Sequence, residues 1–309
     1  MAQTGALTQE PGLQVPGGYQ QYHVPAQSKW PFIGSVALGL IVFGAGNFVQ
    51  QSSGKFGGGN GFGGWILLAG ISVLLFMLVG WWNHVIKESL GGLYSKQMDR
   101  SFRQGMFWFI TSEVMFFAAF FGALFYVRMF VVPWLGGEGE KLSTHEVLWP
   151  NFVNVWPLVL TPNGESTVAM APWGLPLINT ILLVTSSVTL TFAHHALKDN
   201  NKVKALNWMW PTLILGASFL ALQVMEYHHA YTEMGLTLGS GIYGSTFFML
   251  TGFHGMHVTL GTIMLLVMTF RLAEGHFKPQ QHFAFEAAAW YWHFVDVVWI
   301  GLFIFVYCL

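Results

Sequence analysis

The chain has 309 residues, 53% hydrophobic and 17% aromatic, with only 9% charged. Soluble domains carry about 25% charged residues, and the formal net charge of -1 offers nothing to nucleic acid, so the composition reads as an all-α polytopic membrane protein. Cys308 is the only cysteine, which excludes an internal disulfide and a cysteine metal cluster.

Residues 1–29 have no basic start and no apolar run of signal-peptide type. They are expected to form an N-terminal tail, with the first hydrophobic segment doing the targeting. Seven stretches then reach the ~20 apolar residues that a membrane helix needs. They are spans I–VII, at roughly 30–50, 63–86, 104–131, 173–195, 205–227, 241–270 and 283–307, all within one membrane domain at 30–309 (spans I–II 30–86, spans III–VII 104–307). Residues 132–172 interrupt them as a long loop rich in turn residues and aromatics, expected to lie on the membrane surface.

Basic residues favour the cytoplasmic side. Lys29, Lys87, Lys96, Arg100, Arg103, Lys198, Lys202, Lys204, Arg271 and Lys278 fall on one side, and only Lys55, Arg128 and Lys141 on the other. A cytoplasmic N-terminus and an outward C-terminus are therefore expected, which agrees with an odd number of spans.

Polar groups inside the spans carry the candidate chemistry. In TSEVMFFAAFFG (111–122), Glu113 lies eight residues past Gly105, roughly 12 Å into the membrane at 1.5 Å per residue. A buried charge there costs about 2.5–3.5 kcal/mol on insertion scales, so the residue should face protein. It reads either as a protonated Glu bonded to a neighbouring helix or as a proton-relay or ligand site. Span VII reads FEAAAWYWHFVDVVW (285–299), where Glu286, Trp290, His293 and Val297 share a face and Asp296 is one turn from His293. Such a helix is expected inside the bundle, with His293 paired to Asp296. In span VI, His254 and His257 are three residues apart, and Thr251, Gly255 and Thr259 form a row of small residues that could admit another helix closely.

Twelve histidines raise a metal hypothesis. They are scattered over both membrane faces and the bundle, too dispersed for one di-iron site, although spacing allows a haem between spans VI and VII. GNGFGG (59–64) matches a nucleotide-loop pattern but precedes a membrane span, so it reads as a loop. GWWNHVIKES (80–89) reads equally as an interfacial aromatic belt and as a cationic, aromatic seat for a phospholipid head group, joined by Arg103 and Arg271 on the same side.

GWW with Glu88, TSEVMFF, PLINT followed by AHHAL, YGSTFF, TGFHGMHV and FEAAAWYWHFVDVVW occur in this order. Together they resemble subunit III of cytochrome c oxidase, from about residue 30 to the C-terminus, and the span VI and VII motifs are long and specific. The resemblance implies an accessory subunit of an aa3-type oxidase, and the long Gly/Gln-rich tail and the unusual 132–172 loop lead to the expectation of a bacterial inner membrane. Such a subunit has no redox centre of its own, haem and copper lying in subunits I and II. It packs directly on subunit I, with subunit II and a fourth subunit as further neighbours and cytochrome c as the complex's electron donor. It supports proton uptake, and it splays helices I–II from helices III–VII around a cleft filled with phospholipid. Carried over, Trp81, Trp82, Lys87, Glu88, Arg103 and Arg271 are lipid-binding positions, and Glu113 is a buried carboxylate beside the cleft. His254, His257, Glu286, His293 and Asp296 form a structural polar network. No residue is expected to be catalytic or to bind metal. Tyr94 stands near the position of a family histidine, and the 132–172 loop is longer than usual. A shorter quinol-oxidase subunit III, a self-contained haem or di-iron membrane enzyme and a proton-coupled transporter using Glu113 and Asp296 are the competing readings.

Overall fold

The structure, a computed structural model, describes residues 23–24, 27–53, 61–161, 164 and 166–309. Most of the expected N-terminal tail, Lys55 and the first two residues of GNGFGG lie outside the described residues. The described residues are overwhelmingly helical, and seven helices are long and apolar enough to cross a membrane. They are α1 (Trp30–Ser52), α2 (Gly63–Leu90), α3 (Lys96–Tyr126), α6 (Leu175–Lys198), α7 (Lys202–Thr232), α8 (Gly241–Ala273) and α9 (Phe283–Leu302). The chain is thus a multi-pass membrane protein.

The expected span boundaries fall within a few residues of these helices except for span III, which the structure lengthens at both ends. A π-helical turn, Val127–Val131, carries α3 into the short α4 (Val132–Leu135). Pro133 stands two residues past the end of that turn, and a residue without an N–H is accommodated in the first turn of α4.

Local chemistry explains several ends. Pro31 and Pro176 stand in the first turns of α1 and α6, where a missing N–H leaves no vacancy. Between α6 and α7, Asn200 takes φ 57°, the left-handed conformation that ends a helix, and Asn201 caps α7 by accepting from the Lys204 backbone N–H at 3.0 Å. Gly275, at φ 78°, ends α8 similarly, with His276 N–H returning to the Arg271 carbonyl at 3.0 Å.

The chain forms two compact units, Met1–Phe102 and Arg103–Leu309. In the first, α1 and α2 pack closely because glycines face the partner backbone. A Cβ at Gly63 would lie 2.6 Å from Phe48 N, and one at Gly70 2.7 Å from Ile41 N. Only a hydrogen fits there, so backbones approach as small-residue membrane packing requires.

The second unit is the larger bundle, and α9 is its centre: 56% of an 18-residue stretch within Phe283–Cys308 is buried, the highest share of any span. Trp292 fills that centre. A Cβ at Gly216 of α7 or Gly261 of α8 would lie 2.7 Å or 2.9 Å from its ring, and its indole N–H donates to Ser186 Oγ of α6 at 2.9 Å. Of the row Thr251, Gly255 and Thr259, Thr251 alone is buried against a neighbouring helix, its hydroxyl 2.7 Å from Tyr227 Oη of α7. Gly255 has open space around its Cα and Thr259 is exposed, because bundle contact follows the ring of Trp292 on Gly261.

The 132–172 loop packs on the bundle over part of its length. It includes α4 and the short α5 (Leu142–Leu148), and Phe152, Leu158 and Met170 join the hydrophobic core. Tyr243 Oη accepts from Met170 N–H at 3.2 Å, and Val168 N–H donates to the Met234 carbonyl at 3.3 Å. These apolar side chains and backbone groups find partners on the bundle, while others of the loop, Val147 and Val153 among them, stay exposed.

Candidate functional site

In the second unit, the carboxylate of Glu113 meets α8. His257 Nδ1 donates to the Phe253 carbonyl at 2.7 Å, since a carbonyl can only accept, and His257 Nε2 lies 2.9 Å from Glu113 Oε2. Nε2 and Oε2 therefore hold one proton between them, and the pair is neutral overall. An ionisable group can occupy so apolar a run because it faces a protein partner on another helix of the same unit.

His254, fully buried, spends Nε2 on the Val295 carbonyl of α9 at 3.1 Å and packs its ring on Trp299 at 5.0 Å. Its Nδ1 is buried without a partner, which leaves that nitrogen as the bare one of a neutral ring.

His293 departs from expectation. Its Nδ1 is 2.8 Å from Ser187 Oγ on α6, and Asp296 also hydrogen-bonds to Ser187. The expected His293–Asp296 pair is replaced by two bonds to one hydroxyl on another helix, which ties α9 to α6 where an intrahelical pair would not. Val297, placed on the same face as Glu286 and His293, is 67% exposed within the chain, so that face is not uniformly interior. Glu286 Oε1 pairs with Arg103 at 2.8 Å, and the Arg103 guanidinium also lies over the Phe283 ring at 5.2 Å.

The lipid-binding candidates divide between the units. Arg103 and Arg271 belong to the second. Arg271 is 8% exposed, its guanidinium 4.7 Å above the Phe277 ring and its Nε buried without a partner. Trp81, Trp82, Lys87 and Glu88 belong to the first, where both indoles are exposed.

There a cavity of about 690 Å³ is lined by His23, Trp30, Trp81, His84, Tyr94 and Phe102 among others, with Glu88 at its polar part. Trp82 and Lys87 are not among its lining residues. Tyr94 donates to Glu88 Oε2 at 2.8 Å. Burial, then Glu88 itself, pushes the Tyr94 phenol well above its ordinary range, so Tyr94 is a donor at any working pH. Tyr94 stands near the seat in the sequence, but its bond to Glu88 is not legible there, and His23 and Trp30 carry no motif that marks them as lining residues.

The comparison with known proteins decides the family. The family model for cytochrome c oxidase subunit III matches residues 20–309. This chain belongs to that family. The subunit 3 of Latimeria chalumnae is 38% identical over 287 residues, covering 93% of this chain and 96% of the relative. Those of Lycodon semicarinatus and Pylaiella littoralis are 40% and 39% identical over 93% of the chain. Because the match spans both units, the subunit III pattern includes α1 and α2, which weighs against the shorter quinol-oxidase alternative. Membership makes the chain an accessory subunit of a respiratory oxidoreductase complex with other oxidase subunits around it.

Proposed function

We propose that this subunit III is a non-catalytic core subunit of an aa3-type cytochrome c oxidase. It braces subunit I, beside subunit II, supports proton uptake while the complex oxidises cytochrome c and reduces oxygen, and retains phospholipids. The observation that carries the non-catalytic reading is how the intramembrane histidines are used. His257 has both nitrogens committed within the protein, and His254 and His293 each give one to another helix. A haem iron on His257 would have to break one of its two bonds, and on His254 the Nε2 is already taken by the Val295 carbonyl with the Trp299 ring packed against the imidazole. We place the subunit in a bacterial inner membrane, and the distribution of basic loops supports a cytoplasmic N-terminus.

The cavity in Met1–Phe102 supports the lipid reading. It combines indole rings with a carboxylate fixed by Tyr94 at the basic end of α2, the composition of a head-group seat at a membrane interface. A tagged chain isolated from its native membrane, and the same chain purified alone, separate the readings by visible absorption and lipid mass spectrometry. The expected result is a colourless chain that co-purifies with haem a, copper and phospholipid. A Soret band on the isolated chain would overturn the proposal.

A further inference from the structure

Three ligand groups from different parts of the second unit converge where α6 ends and α9 begins. His194 lies near the C-terminal end of α6, His282 immediately precedes α9 and Glu286 lies in its first turn. One ring nitrogen from each histidine and a carboxylate oxygen all fall within 4.8 Å of one another. His194 Nε2 and His282 Nε2 are 3.2 Å apart. That separation is close to the edge of a tetrahedron of imidazole nitrogens around Zn²⁺, about 3.3 Å for bonds of about 2.05 Å.

We propose that His194, His282 and Glu286 form a binding site for a divalent cation of borderline softness, Zn²⁺ being the type case. The donor set, two imidazoles and a carboxylate, is one that Zn²⁺ accepts with water as the fourth ligand. Without a cation, the two Nε2 atoms can share only one proton, and His282 Nδ1 is buried with no partner, so the pair leaves hydrogen-bonding capacity unused. Arg103 does not block the site. It takes Glu286 Oε1, a carboxylate has a second oxygen, and an outer hydrogen bond of this kind commonly holds a metal-bound carboxylate in place.

The bound ion fastens the end of α6 to the connection between α8 and α9, and so to the start of the central helix. Zn²⁺ has no redox chemistry, so the site adds a structural clamp to an otherwise redox-free subunit. His194 keeps partial exposure, which gives the ion a route in.

The oxidase complex is stripped with chelator, equilibrated with Zn²⁺ and freed of unbound metal, and its zinc is counted by mass spectrometry. Wild-type complex should retain one more Zn²⁺ per copy of this chain than the H194Q and H282Q variants, while H195Q, changed at the exposed neighbour, retains the wild-type amount. Equal zinc in wild type and H194Q overturns the site. Should both variants fail to assemble, wild-type complex decides. Zn²⁺ should slow diethyl pyrocarbonate modification of His194 several-fold without changing that of His195, and the absence of any difference overturns the proposal.

Discussion

Glu113 on α3 and His257 on α8 are joined at 2.9 Å, and the Phe253 carbonyl on the other side of the imidazole fixes which nitrogen faces the carboxyl. The interaction therefore demands a partner for Nε2, while leaving open which atom keeps the shared proton.

A Gln at this position can donate from its amide to a bare Nε2. Glu113→Gln is expected to assemble with near-normal yield and a melting temperature within a few degrees of wild type. Glu113→Leu leaves Nε2 buried and unpartnered, a loss of about 1–3 kcal/mol. Thermal unfolding of the two variants in detergent tests the order; failure of the Gln variant alone to assemble means the carboxylate is ionised against a charged imidazole.

The indole of Trp292 has glycines of α7 and α8 against its ring and a serine of α6 at its nitrogen. Trp292→Ala should cost about 3–5 kcal/mol, at the upper end for buried aromatics, because three helices lose contact at once. Gly261→Ala adds a methyl where the ring already is, and overpacking of this kind costs about 1–3 kcal/mol. Denaturation of the purified complex, followed by near-ultraviolet circular dichroism, ranks them. A Gly261→Ala variant as stable as wild type would show that the ring moves freely.

The Tyr94 phenol is raised by burial and by Glu88, so the folded protein holds this proton at pH values where the unfolded chain, near pH 10, releases it. Stability from this group is complete below about pH 10 and declines as pH rises above it. Tyr94→Phe removes that alkaline loss and also the bond that fixes Glu88. Ultraviolet titration at 295 nm should show one fewer tyrosine ionising late in the variant, and lipid analysis should show weaker retention of phospholipid.

Arg271 is buried against Phe277, with its Nε unsatisfied. Arg271→Ala is expected to reduce retained phospholipid and shorten the active lifetime of the oxidase during turnover. Lipid content unchanged by mass spectrometry would remove the head-group role and leave Arg271 a packing residue.

Much of the architecture was legible in residue order. The span boundaries were close because apolar run length is a one-dimensional property set by membrane thickness and helix rise. The need of Glu113 for a protein partner followed from the cost of a charge in hydrocarbon. The lateral choices were not legible. Periodicity put Asp296 within reach of His293, yet Ser187, 106 residues away, took the bond. The small-residue row in span VI suggested one contact, and a tryptophan ring between Gly216 and Gly261 made another.

By itself, then, the sequence determined that this is a seven-span subunit III chain and which buried groups must find partners, since hydropathy, length and motif order are written along the chain. Only the tertiary structure decided which partners they find. That choice depends on helix rotation and side-chain reach across the bundle, where a few ångströms separate His194 and His282, 88 residues apart, into a shared site or two unrelated histidines.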